Sequence, residues 1–134
     1  MQVLASDLLP LRTSADIVAV RRLVRTRAVE LGFGLVEQTK LVTAASELAR
    51  NAVEHGGGGT AMIETVENGA RRGVRMRFED EGRGIADIEL ALRDGYTTGG
   101  GLGLGLGGAR RLMSELEVQS SAGGGTRVSA VRWR

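Results

Sequence analysis

Between residues 73 and 80 the chain reads GVRMRFED, with Val74, Met76 and Phe78 alternating against Arg75, Arg77 and Glu79. A period of two puts the apolar set on one side of a strand and the charged set on the other. The sheet therefore has one wet face and one face that something must cover. TAMIETVE at 60–67 precedes this strand across a turn containing Asn68-Gly69, a strong hairpin signal. The cover lies upstream. Ile17, Val20, Leu23, Val24 and Ala28 recur at helical spacing behind a cap at Ser14 or Asp16, and Gly32 ends that helix. A second helix is predicted from Leu35 to His55, with Leu41, Val42, Ala45, Leu48, Ala49 and Ala52 inward. The run GGGG at 56–59 stops it.

Residues 3–12 make a first strand that Pro10 either ends or assigns to a sheet edge. After Asp80 come a short helical turn over Asp87–Arg93, a glycine-dense segment, and a helix from Ala109 to Glu115. EVQSS (117–121) and TRVSAVRWR (126–134) close the chain as a last hairpin. This order predicts one domain over residues 1–134. Its fold class is an α/β two-layer sandwich, with a mixed, mostly antiparallel sheet and helices on one face.

Composition removes several functions. The net charge is +2, from 18 basic and 16 acidic residues, with no dense basic block. Aromatic residues are scarce, so neither phosphate-backbone binding nor base stacking is expected, and no nucleic-acid partner. The absence of cysteine excludes disulfides, thiolate catalysis and cysteine zinc sites. MQVLASDLLPLR lacks the charged start and long apolar centre of a signal peptide, and no apolar run approaches 18 residues. The expectation is a soluble, cytoplasmic protein with no membrane partner.

Three segments carry chemistry. TTGGGLGLGLGGARR at 97–111 contains a literal G-x-G-x-x-G in Gly103, Gly105 and Gly108, but no strand precedes it, so the dinucleotide fingerprint fails. No Gly-Lys-Ser/Thr follows, so a Walker A loop fails too. By itself the segment reads either as a flexible loop or as a glycine turn whose bare N–H groups open a helix onto an anion. EDEGRGI at 79–85 ends a strand in Asp80. Its carboxylate is either part of a solvated turn or an acceptor for the exocyclic amino group of adenine. SELARNAVEHG at 46–56 puts Glu47, Arg50 and Asn51 on one helical face. They read as an exposed stripe with surface ion pairs, or as a phosphoryl-transfer set. In the second case Asn51 offers an oxygen to Mg²⁺ and Glu47 takes a hydroxyl proton or orients the nucleophile. Arg50 favours the ionised form of Glu47 or touches a phosphate. His55 reads as a structural residue at the helix C-terminus.

Taken in order, E-(x)₃-N, D-x-G-x-G, a G-x-G turn opening a helix, and Gly125-Thr126 resemble the ATP-binding fold shared by GyrB, Hsp90, histidine kinases and MutL. Within that superfamily, ELGFG (30–34), SELARN (46–51), DGYTTGGGLGLGL (94–106), RRLM (110–113) and SAGGGT (121–126) resemble the RsbT-type serine/threonine switch kinases of the stressosome. The resemblance spans the whole chain and implies a role for each position. Glu47 is the catalytic base, with Arg50 beside it, and Asn51 is the metal ligand. Asp80 binds the adenine amino group, supported by Thr126, over a purine floor of Gly82 and Gly84, with Ile85 also at the nucleotide. Thr97 to Leu102, with Thr98, Gly99, Gly100 and Gly101, form a short lid. Gly103, Leu104, Gly105 and Leu106 give backbone N–H groups to phosphate. The implied cofactors are ATP and Mg²⁺. The implied partners are STAS-domain substrates and a PP2C-type phosphatase that the kinase activates after leaving its substrate. The alternative is an ATP-regulated anti-sigma factor that sequesters a sigma factor.

Overall fold

A computed structural model describes residues 1–82, 84–85, 92, 105–120 and 123–134. The strands are β1 (Gln2–Leu11), β2 (Gly59–Asn68), β3 (Arg71–Asp80), β4 (Glu115–Ser120) and β5 (Thr126–Trp133). The helices are α1 (Ser14–Glu30), α2 (Leu35–Glu54) and α3 (Gly105–Leu112). The strands form one sheet in the order β1-β2-β3-β5-β4, and all four pairings are antiparallel. Pro10 does sit on an edge strand, where its missing N–H costs no ladder bond.

Side chains on one sheet face, among them Ile63, Met76, Phe78, Val128 and Ala130, join a single core with Val20, Val24, Leu41 and Leu48 of the helices. This is the covered face that the alternation in β3 demands. No helix among the described residues is long and apolar enough to cross a membrane.

Three elements have boundaries that differ from expectation. The cap of α1 is Thr13, not Ser14 or Asp16. Its side chain accepts from the Asp16 N–H, while Asp16 Oδ2 accepts from the N–H groups of Arg12 and Thr13 at 2.8 and 3.1 Å. Asp16 thus stands at the third helical position of a capping box. The Arg12 hydrogen bond, with that of Thr13, holds its carboxyl below the usual aspartate value although desolvation opposes this. The last helix spans Gly105–Leu112 rather than Ala109–Glu115, and β4 begins at Glu115 rather than at 117. Glycine disfavours helix interiors by roughly 1 kcal/mol each. Here Leu106, Gly107, Gly108 and Ala109 are buried, and packing on α2 outweighs propensity.

The face remote from the helices is not uniformly wet. Glu64 is only 3% exposed, gripped by Arg75 Nε at 2.8 Å and Arg77 Nε at 3.0 Å, each with a second bond from Nη2. Burial pushes the Glu64 carboxyl up, but the hydrogen bond and charge of Arg75, with those of Arg77, outweigh it. The net result lies below the usual glutamate value. A depressed folded-state pKa contributes stability that is present above the unfolded value and lost as pH falls through the folded one. Glu64→Gln is therefore expected to flatten the acid limb of stability against pH. At neutral pH it should cost roughly 1–3 kcal/mol, the scale of a lost charge-assisted hydrogen bond, discounted because Arg77 is partly exposed. Urea denaturation from pH 7 to pH 3 measures both effects.

Candidate functional site

The site is built at the C-terminal end of α2. Seven small or aliphatic residues, Leu41, Val42, Ala44, Ala45, Leu48, Ala49 and Ala52, bury one broad side of this helix. Glu47 is buried with them at 7% exposure, and its Oε1 lies 3.2 Å from Arg50 Nη2. Asn51 stands one turn further on, about 6 Å along the axis. Its carboxamide has no hydrogen-bond partner among the described residues, whereas its backbone carbonyl accepts from the N–H groups of His55 and Gly56. His55 is the helix C-cap, as its position in the sequence suggests.

That helix end abuts Asp80. Asp80 is the last residue of β3 and pairs with Gly59 on one side and Thr126 on the other. Its Oδ1 accepts from the Gly82 N–H at 2.9 Å, which fixes the carboxylate plane. Its Oδ2 has no hydrogen-bond partner among the described residues. Glycines crowd the aspartate and one another. A Cβ on Gly56 would fall 2.2 Å from Asp80 Cγ, and one on Gly125 would fall 2.3 Å from the Asp80 carbonyl oxygen. A Cβ on Gly82 would fall 2.7 Å from the Gly56 Cα. Gly125 also adopts φ 80°, open to glycine at no steric cost.

Ser120 ties the remaining wall together, and sequence reasoning missed it. Its Oγ accepts from the Ile85 N–H at 2.7 Å, donates to the Gly125 carbonyl at 2.9 Å, and lies 3.0 Å from Thr126 Oγ1. A hydroxyl has one proton to give. With Ser120 donating to Gly125, the Thr126 hydroxyl donates to Ser120 and keeps its own lone pairs as acceptors. The register of the last hairpin, with Ser120 opposite Thr126, was the signal that could have found it. Gly56, Asp80, Ser120, Gly125 and Thr126 line an open cavity of about 910 Å³, to which Arg12 and Arg127 also contribute.

The structure thus brings Asp80, Gly82, Ile85 and Thr126 together, with Gly84 beside them in the chain. It joins them through Gly56 to the helix carrying Glu47, Arg50 and Asn51. Gly105 and Leu106 open α3, whose residues Leu106 and Ala109 pack into the same core as α2. The expectations for Thr97, Thr98, Gly99, Gly100, Gly101, Leu102, Gly103 and Leu104 lie outside the described residues, as does the helical turn over 87–93. Among the described residues no three His, Asp or Glu side chains cluster as a metal centre.

A glycine-lined cavity with an acceptor hydroxyl and a carboxylate oxygen that has no hydrogen-bond partner among the described residues offers acceptors to the amino edge of a purine nucleotide. Residues 36–133 match the family described as Histidine kinase-, DNA gyrase B-, and HSP90-like ATPase. The chain belongs to this ATPase family, and ATP binding goes with that membership.

Its relatives narrow the class. Over 121 residues, 90% of this chain and 91% of the relative, it is 48% identical to the Serine/threonine-protein kinase RsbT of Bacillus subtilis (strain 168). Over 119 residues, 84% of this chain and 82% of the relative, it is 33% identical to the Anti-sigma F factor of Thermoanaerobacter sp. (strain X514). The crystal structure of the RsbU and RsbW domains of Rv1364c from Mycobacterium tuberculosis matches with a TM-score of 0.66 at 24% identity. That match covers 97% of this chain and 33% of the longer one, and it speaks for the fold alone. The chain is a homologue of a serine/threonine-protein kinase and of anti-sigma factors, as its motifs led us to expect.

Proposed function

We propose that this protein is a serine/threonine kinase that transfers the γ-phosphoryl group of Mg-ATP to STAS-domain partners and then binds and activates a PP2C-type phosphatase. The observation that carries the nucleotide part is Asp80. One carboxylate oxygen is held by Gly82, and the other is left beside Gly56 in a polar cavity, across from the Thr126 acceptor. Two acceptors suit the amino group of adenine, and guanine would present a carbonyl there instead. Asn51, one ligand with an oxygen to give, suits Mg²⁺, which keeps several waters and binds phosphates alongside few protein groups. The metal would neutralise charge on the transferring phosphoryl group.

The residues of α2 then supply the remaining chemistry. The Glu47 carboxylate accepts the proton of the attacking Ser or Thr hydroxyl as its oxygen bonds to the γ-phosphorus and the bond to the ADP oxygen breaks. Arg50 orients that carboxylate through its ion pair. Backbone N–H groups at the start of α3, around Gly105 and Leu106, receive phosphate oxygens.

Incubation with Mg-ATP and a STAS-domain protein, followed by mass spectrometry, is expected to show phosphoserine or phosphothreonine on the partner. The 33% identity to an Anti-sigma F factor supports a second reading, nucleotide-regulated capture of a sigma factor. Absence of phosphotransfer together with tight sigma-factor binding would establish that reading instead.

A further inference from the structure

We propose that Gly56 is a positioning residue for Asp80, and through it sets the preference for adenine. The inference rests on the reading of Asp80 as the adenine contact. The run GGGG at 56–59 is more than a helix stop. Gly57 adopts φ 73° and nothing lies within 4 Å of the place its Cβ would occupy, so glycine there serves backbone conformation. Gly56 is the opposite case. It is not among the glycines with positive φ, yet its Cβ would fall 2.2, 2.5 and 2.6 Å from Asp80 Cγ, Oδ2 and Cβ. Glycine at 56 is required by the closeness of the aspartate alone.

The contact has a direction. Rotation of Asp80 about χ1 would relieve Cγ and Oδ2, but it would break the bond from Oδ1 to the Gly82 N–H. It would also leave Asp80 Cβ, fixed to β3, within 2.6 Å of the added carbon. Gly82 meets the same point from the other side, with its own missing Cβ 2.8 Å from the Gly56 carbonyl oxygen. The end of α2 therefore serves as the stop against which the carboxylate is set, and the space beside Oδ2 stays open because residue 56 has no side chain. Asn51 is connected to the same point, since its carbonyl accepts the Gly56 N–H. Metal ligand and base contact are held to one another by a single turn.

The test compares Gly56→Ala with Gly57→Ala, alone and in an Asp80→Asn background, by calorimetric titration with ATP and with inosine triphosphate. The latter carries a carbonyl in place of adenine's amino group. Gly57→Ala strains φ without touching Asp80, and is expected to lower Tm by roughly 4–8 °C while leaving the ratio of the two affinities intact. Gly56→Ala is expected to weaken ATP binding roughly tenfold or more and to drive that ratio toward one, because a displaced acceptor no longer tells amino from carbonyl. In Asp80→Asn it should add little, as coupled neighbours do.

An unchanged ratio in Gly56→Ala, or the same loss repeated in the Asp80→Asn background, overturns the role of Gly56. Normal ATP affinity in Asp80→Asn itself overturns the adenine reading beneath it. Should Gly56→Ala not fold, Asp80→Gly added to it removes all three clashing atoms and is expected to restore folding. Failure to do so overturns the proposal.

Discussion

Asp80→Asn is expected to lose ATP affinity by roughly tenfold to a hundredfold, the scale of a hydrogen bond to a charged group. The size of the effect follows from which oxygen is already committed. Oδ1 accepts from the Gly82 N–H at 2.9 Å, so an asparagine must keep its carbonyl oxygen there. Its NH₂ group would then point where Oδ2 pointed and, on the proposed contact, meet the amino group of adenine donor to donor. Flipping the amide transfers the conflict to Gly82. Titration calorimetry with ATP measures the loss, and unchanged affinity would place the adenine contact elsewhere.

Glu47→Gln is expected to leave ATP binding in place and to lower phosphotransfer by roughly 10²–10⁴-fold, the usual contribution of a positioned general base. Glutamine matches the shape of a side chain that is only 7% exposed, so the packing of α2 survives. Its lost ion pair costs little, because the Arg50 side chain is one-third exposed and water can solvate it. Single-turnover transfer to a STAS-domain substrate, run beside ATP titration, separates binding from chemistry. Parallel loss of both would make Glu47 a nucleotide-binding residue rather than the base.

Much of this architecture was legible where a residue's surroundings are dictated by its own neighbours in sequence. Every inward position proposed for α2, from Leu41 to Ala52, is buried, and the strands ending in Asp80 and beginning near Thr126 fall within a residue or two of their expected bounds. Properties set across long sequence separations were harder to read. Gly105 to Gly108 look like poor helix because what makes them helical is α2, more than fifty residues earlier. Glu64 looks like a wet-face residue because the arginines that enclose it come from the neighbouring strand. GGGG at 56–59 looks like a breaker because nothing local reveals that Asp80 lies against its first member. Ser120 carries no motif at all, and only the pairing of β4 with β5 discloses it.

The strand order β1-β2-β3-β5-β4 has a consequence for how the protein is made. β5 is the last strand in chain order, yet it lies inside the sheet between β3 and β4. A growing chain can complete β1, α1, α2, β2 and β3 as one contiguous block of sequence. It cannot seat Thr126 beside Asp80 until residues through 133 have left the ribosome. Until then the inner edge of β3 stays open, with Asp80 on it and Glu47 and Asn51 already in place on α2. The wall of the proposed nucleotide site that Thr126 supplies therefore forms only after β5 has been made.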